Sequence, residues 1–316
     1  MEIHSDGQMY TPELVFGHLY TSSNYADDDQ EETGGRNGLG AKLTNIFSTH
    51  FRVECLDSQR RKRFFMEWER NMNTRHEPVV TDIAPNRAHA RDYTEIAFRP
   101  DLERFGMSCL DKDIMALLTK RVYDIAGCNP SVRVSLNERW IRLDDFEEYV
   151  GLYLGCKKGG GPSVPHVFRQ IDERWSVCVA LSDSCQFQQV SFVNSVCTTT
   201  GGVHVNRVYE SLWKQLASII DRQYEGGDTA SRELITPYVW LFVNCRLPKP
   251  EFDSQIKQNL ASFQPIQKDA TKSLWQLPTD YIQQGILLIP GSPLSGCLCA
   301  NRSHPPLREK WLESAR

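Results

Sequence analysis

No stretch of the chain approaches the roughly 18 consecutive apolar residues that a membrane-spanning helix needs, so a helical crossing of a bilayer is not expected. An excess of one charge sign is missing as well. Lys and Arg number 36 against 40 Asp and Glu, a formal net charge of −4, which excludes a whole-chain basic field and leaves only a local surface for an anionic partner. Cysteine in a stapling pattern is absent: ten are scattered between Cys55 and Cys299, in a chain too long to depend on disulfides, and a reducing intracellular setting is the expectation. Cys297 and Cys299 have one residue between them and only His304 nearby, short of zinc-site spacing, so no metal site is expected. Residues 1–10 carry neither an apolar leader core nor a basic amphipathic pattern. The chain runs into Thr11-Pro12-Glu13-Leu14-Val15-Phe16 as though entering mid-domain, and a truncated start is expected.

What is present is globular material: 316 residues, 40% hydrophobic and 24% charged, enough for about two domains. Thr11 as N-cap, Pro12 after it, and Leu14, Val15, His18 and Leu19 on one stripe predict a short helix. Residues 21–33 are polar and carry Asp27, Asp28, Asp29, Glu31 and Glu32, the composition of a mobile surface lid. A glycine loop follows, and Leu43, Ile46 and Phe47 predict a helix over 41–49 opening directly from it. Residues 51–56 and 63–69 read as antiparallel strands joined by Arg60-Arg61-Lys62, and 93–98 as a third. Ser108 with Asp111 resembles a capping box ahead of Ile114, Leu117, Leu118, Val122 and Ile125, with Gly127 closing the helix at C′. Val132, Val134 and Leu136 alternate into a turn near Asn137, and Phe146, Tyr149, Val150 and Tyr153 form one helical face.

Residues 157–161 break the pattern as a hinge or linker. A second α/β unit follows: alternating Trp175, Val177, Val179 and Leu181, a strand over 190–196, and a helix over 205–224 carrying Val208, Leu212, Leu216, Ile219 and Ile220. An apolar strand over 238–245 completes it. After Leu260, prolines at 265, 278, 290, 293, 305 and 306 interrupt any long element.

The loop Gly35-Arg36-Asn37-Gly38-Leu39-Gly40-Ala41-Lys42 departs from a P-loop, because Ala41 separates the last glycine from Lys42 and Leu43 stands where a Ser or Thr would meet Mg²⁺. Its glycines also fall in the wrong order for a dinucleotide fingerprint and follow an acidic segment rather than a strand. Two readings remain, a tight structural turn and an anion cradle in which backbone N–H groups and the helix start face a phosphate. Lys42 in the first helical turn runs against the usual acidic preference there, which suits a cation held against phosphate.

Tyr20-Thr21-Ser22-Ser23-Asn24-Tyr25, the acidic segment, Thr33-Gly34-Gly35-Arg36-Asn37-Gly38-Leu39-Gly40-Ala41-Lys42-Leu43 and Asn45-Ile46-Phe47-Ser48-Thr49 together resemble the ATPase region of eukaryotic-type type II DNA topoisomerases. Leu110-Asp111-Lys112-Asp113-Ile114, Tyr123-Asp124-Ile125-Ala126-Gly127, Ser191-Phe192-Val193-Asn194-Ser195, Gly201-Gly202, His204-Val205 and Phe252-Asp253-Ser254-Gln255 with Lys257 continue it in order, over residues 9 to 260. The resemblance implies an α+β chain: the remainder of an ATPase sandwich of the gyrase, Hsp90, histidine-kinase and MutL class (GHKL) over 1–157, a ribosomal S5-like α/β transducer over 158–260, and a divergent tail over 261–316.

It implies further that Ser22, Ser23 and Asn24 contact the ribose and phosphate side of ATP. Gly35, Arg36, Asn37, Gly38, Leu39, Gly40, Ala41 and Lys42 would hold the triphosphate, and Gln255 and Lys257 would act catalytically by reaching the γ-phosphate. Cofactors are then ATP and Mg²⁺, the partners double-stranded DNA and a second copy through the N-gate, the reaction ATP-dependent strand passage, and the location the nucleus or, alternatively, the mitochondrion. The family's general-base Glu, Mg²⁺-holding Asn, adenine motif, Toprim domain and cleavage tyrosine find no counterpart in this sequence, so the chain alone is expected to be inactive. Ile256 replaces the usual Thr between Gln255 and Lys257, which removes one hydroxyl contact. The alternative reading is a non-catalytic nucleotide-binding or dimerisation module of the same ancestry.

Overall fold

The computed structural model describes residues 9–22, 24, 32–35, 37–83, 91–155, 164, 166–182, 184–223 and 231–263. The hinge expected at 157–161, most of the lid, Ser23, Arg36, the Cys297/Cys299 pair and the tail from 264 onward lie outside the described residues. Two compact units form. One holds residues 1–28 and 35–116, the other residues 29–34 and 117–316.

The first unit contains α1 (Thr11–Gly17), α2 (Gly40–Ile46), β1 (Ser48–Asp57), β2 (Lys62–Glu69), β3 (Thr74–Arg75), β4 (Val79–Asp82) and β5 (Tyr93–Pro100). Its strands run β3-β2-β1-β5, with β4 pairing β2. As the alternation predicts, β1 and β2 are antiparallel, with Val53 opposite Met66 and Phe51 opposite Trp68. Period-2 geometry sends Phe51, Val53, Phe64, Met66 and Trp68 to one face, where they form the buried core of this sheet.

Two helix expectations for this unit need correction. Tyr10, not Thr11, caps α1, and the residue buried on α1 is Glu13, which forms an ion pair with Arg75, while Val15 and Leu19 stay exposed. Helix α2 stops at Ile46, because Ser48 already belongs to β1 and the chain must leave helical geometry to pair with Pro100.

Next comes α3 (Lys112–Cys128), through which the division of the units runs. The second unit continues with β6 (Val134–Leu136), β7 (Arg139–Ile141), α4 (Phe146–Leu154), β8 (His166–Gln170), β9 (Trp175–Leu181), β10 (Gln188–Val193), β11 (Val196–Cys197) and β12 (Gly201–Gly202). It closes with α5 (Val203–Gln223), α6 (Arg232–Ile235), β13 (Val239–Cys245), β14 (Glu251–Phe252) and β15 (Asn259–Ser262). Asp111 caps α3 by accepting from the Ile114 N–H at 2.9 Å. Gly127 lies inside α3 rather than at C′, since a Cβ there would sit 2.4 Å from the Tyr149 ring; the glycine is needed for close packing, not for the helix end.

The main sheet runs β11-β10-β13-β9-β8, with β10 and β13 parallel and β13 and β9 antiparallel. It is covered on both faces. Trp175, Val177, Val179, Leu241 and Val243 pack with Val205, Val208, Leu212 and Leu216 of α5. Cys178, Ala180, Phe192 and Phe242 pack with Phe146, Tyr149, Val150 and Leu154 of α4. The alternation in β9 therefore sorts residues between two cores rather than between core and water. The single strand expected over 190–196 is instead a hairpin of β10 and β11, because Asn194 and Ser195 both adopt positive φ, 49° and 64°, and reverse the chain.

Candidate functional site

In the first unit the glycine loop folds back on the segment Thr21–Asn24. Asn24 donates its side-chain amide to the Gly35 carbonyl at 2.6 Å, its own N–H reaches Ser22 Oγ at 3.2 Å, and Lys42 Nζ donates to the Thr21 carbonyl at 2.9 Å. Thr21 Oγ1 in turn donates to the carbonyls of Leu14 and His18, at 3.1 and 2.9 Å, which fixes this segment on α1. Gly38 has φ +59°, and a Cβ on it would lie 2.4 Å from the Thr21 carbonyl oxygen. Glycine is therefore required there. At Gly35 and Gly40 an added Cβ would meet nothing within 4 Å; the loop leaves open space on that side.

Helix α2 begins its ladder with the Leu43 N–H bonded to the Leu39 carbonyl at 2.9 Å, which leaves the amides of Gly40, Ala41 and Lys42 without intrahelical acceptors. The N-cap residue, Leu39, has no side-chain acceptor to cap them. Only two turns long, α2 has little dipole to offer, so the positive charge comes from Lys42. That residue is 3% exposed, and burial lowers the pKa of its ammonium. Among the described residues it meets no carboxylate, only the Thr21 carbonyl. A buried ammonium with one neutral acceptor and no counter-charge is costly unless an anion completes it.

The second unit holds a separate cation. Lys257, at φ +61° in the turn between β14 and β15, is half-buried and donates to the Gly34 carbonyl. Burial lowers its pKa as well, and no carboxylate meets it among the described residues. The strap Glu32–Gly34 is held firmly: Glu32 pairs with Arg174 at 2.5 Å and Arg246 at 3.5 Å, and Asn194 Nδ2 donates to the Thr33 carbonyl at 3.0 Å. Glu32, which composition assigns to a mobile lid, is thus an anchored residue. Gln255 is exposed, and Ile256 lines a cleft of about 280 Å³ with Arg121, Asp124, Ser195 and Cys197.

Within the first unit the structure brings together Ser22, Asn24, Gly35, Gly38 and Lys42. Leu39, Gly40 and Ala41 follow on the same turn, and Asn37 is exposed. Sequence reasoning missed Thr21, Gly34 and Asn194. Thr21 meets Lys42, and Gly34 meets Lys257, through backbone carbonyls, which leave no mark on residue type; Asn194 carried a signal, as an Asn-Ser pair between two apolar stretches marks a tight turn.

The family model described as DNA gyrase B matches residues 146–270. A DNA topoisomerase 2 from Pisum sativum is 41% identical over 266 residues, which are 84% of this chain and 18% of that protein. The chain thus spans less than a fifth of the length of such curated relatives. Among solved structures, the ATPase region of Saccharomyces cerevisiae topoisomerase II superposes with a TM-score of 0.80 at 37% identity, over 95% of this chain and 72% of that one. The ATPase and transducer domains of DNA topoisomerase II from Balamuthia mandrillaris give 0.79 at 38% identity, over 90% and 69%.

Proposed function

The chain belongs to the type II DNA topoisomerases, in the region of their ATPase and transducer domains, and on that footing we propose that it binds ATP through residues 35–42 and couples the terminal phosphate to pairing of two copies. Lys42 carries the proposal. A buried ammonium that meets no carboxylate among the described residues, next to three amides without intrahelical acceptors, is the donor set a polyphosphate satisfies. The residues present therefore fit the phosphates of a nucleotide, which supplies the hydrolysable γ-phosphate when bound. Among the described residues no group of three His, Cys, Asp or Glu stands together to hold a metal, so no side chain is assigned to Mg²⁺.

Gly35 and Gly40 let the backbone approach the anion, Lys42 neutralises it, and Asn24 holds the loop closed on itself. Lys257 is assigned as the group that responds to the γ-phosphate. It is already desolvated and bonded to Gly34, the residue immediately before the loop, so exchanging a carbonyl for a phosphate oxygen strengthens a bond without new burial. The activity proposed with this site is ATP-dependent passage of one DNA duplex through another, in the nucleus.

Calorimetric titration with ADP and with a non-hydrolysable ATP analogue tests the assignment. Lys42→Ala is expected to weaken both nucleotides. Lys257→Ala is expected to leave ADP unchanged and to cost about 1.5–3 kcal/mol against the triphosphate, the range for a charge-assisted hydrogen bond. Unchanged binding in Lys42→Ala overturns the phosphate site, and equal losses for both nucleotides in Lys257→Ala overturn the γ-phosphate assignment.

A further inference from the structure

Strands β6 and β7 form a ribbon of their own, hydrogen-bonded to no other strand among the described residues. It turns through Asn137 and Glu138, both left-handed at φ 48° and 64°, and its register sets Val134 opposite Ile141 and Ser135 opposite Trp140. Alternation sorts the side chains: Val134, Leu136 and Ile141 share the half-buried face, while Ser135 and Trp140 share the other, and Trp140 is 60% exposed. One step further along the register, Arg133 and Arg142 fall opposite each other on that outer face. Arg133 lies over the Trp140 ring at 5.8 Å, while Arg139, opposite Leu136 in the register, is exposed on the other face near the turn.

Like charges placed across a strand pair destabilise it, yet none of these three arginines meets a carboxylate among the described residues. Glu138 stands at the tip, and Asp144 and Asp145 follow Arg142 at the other end of the ribbon. Uncompensated guanidinium groups beside an exposed indole N–H suit a regular array of phosphate oxygens, each able to accept a forked pair of hydrogen bonds. We propose that this outer face, Arg133, Trp140 and Arg142, docks on the phosphate backbone of double-stranded DNA. The acid at the tip makes the contact one of the ribbon's face, laid along the backbone, rather than of its apex. This rests on the reading of duplex DNA as a partner and adds a place where the chain meets it.

The probe is a fluorescein-labelled DNA duplex followed by anisotropy across about 50–200 mM KCl, where each neutralised phosphate contributes a slope of about −0.9 in log K against log salt. Arg133→Ala/Arg142→Ala is expected to flatten the slope by about 2, Trp140→Ala to weaken binding at every salt concentration, and Arg133→Lys/Arg142→Lys, which keeps both charges, to retain the slope. Thermal melting of each variant shows that the fold survives, and loss of slope in the Ala pair but not the Lys pair separates charge from structure. An unchanged slope in the Ala pair overturns the proposal while DNA binding by the chain stands. Absence of duplex binding by the unaltered chain overturns the DNA reading too, and nucleotide titration still decides the phosphate site independently. Stronger competition for the ribbon by polyglutamate than by duplex at equal salt assigns the face to an acidic protein and also overturns it.

Discussion

Gly35 and Gly38 lie three residues apart in one loop and answer different questions when replaced. Gly38→Ala forces a side chain into φ +59° and onto the Thr21 carbonyl, so thermal or urea unfolding is expected to show a loss of roughly 1–3 kcal/mol. Gly35→Ala meets no neighbouring atom; stability is expected to stay within about 0.5 kcal/mol while nucleotide affinity falls about tenfold, roughly 1.4 kcal/mol, because the methyl occupies the space of the anion. Unchanged affinity there would show that the phosphates lie elsewhere. His204 offers a pH test. Burial lowers its pKa from 6.5 to about 3, its Nε2 meets Thr198 Oγ1 at 3.1 Å, and its Nδ1 has no partner among the described residues. The unfolded chain takes up this proton first, so the contribution is complete above pH 6.5 and declines as pH falls toward 3, by at most about 1.4 kcal/mol per pH unit. Glu54 is held at about 2, chiefly by its hydrogen bond from Arg63, and begins to lose its own contribution only below its ordinary 4.5. Between pH 6.5 and 4.5 the urea midpoint is expected to fall in the unaltered chain and to stay flatter in His204→Gln. At this scale the sequence showed the glycines and Lys42, whose types are unusual for their places; it could not show that Lys42 is buried, since that depends on the Thr21 carbonyl folding over it.

Helix α3 shows what periodicity leaves out. Its apolar stripe is legible, yet Leu117, Leu118 and Ile125 are exposed, and the residues that pack are Asp124, Ala126 and Gly127. Asp124 is 2% exposed and accepts from Lys120 at 2.8 and 2.9 Å, from Arg121 at 3.3 Å and from the Tyr149 hydroxyl at 2.6 Å. Removing a buried carboxylate with that many donors leaves Tyr149 to share a bond with Tyr153 alone. Asp124→Ala is expected to cost about 2–4 kcal/mol in urea unfolding, and Asp124→Asn less, since its amide oxygen still accepts from Tyr149. Equal stability in both variants would mean that Lys120 and Arg121 simply turn to water. Strands were more readable: β1, β2, β5 and β9 announce themselves through β-branched and aromatic alternation, and β13 through an unbroken apolar run. The β10–β11 reversal was missed because Phe192, Val193 and Val196 keep the strand composition running on either side of the Asn194-Ser195 pair that marks the turn.

For the whole molecule, residues 29–34 group with the second unit while their neighbours on both sides group with the first. The described part of that segment is tied by Arg174, Arg246, Asn194 and Lys257. No periodicity marks such an exchange, because it rests on bonds between residues more than 140 positions apart. If Lys257 reports on the γ-phosphate, sedimentation is expected to show dimers with the triphosphate analogue, few with ADP and few in Lys257→Ala, since a ligand shifts an equilibrium only through its differential affinity for the two states. Dimers of equal abundance with both nucleotides would remove the coupling. The geometry of β12 suits such a coupling. Gly201 and Gly202 pair in parallel with Asn259 and Leu260, and Gly202 lies so close that a Cβ would sit 2.4 Å from the Leu260 oxygen. These two glycines open α5, a rod of 21 residues, about 30 Å long at 1.5 Å per residue. If Lys257 reports on the γ-phosphate, a tilt of about 5° at this end of the rod would sweep its far end through roughly 3 Å, a displacement large enough to repack a surface.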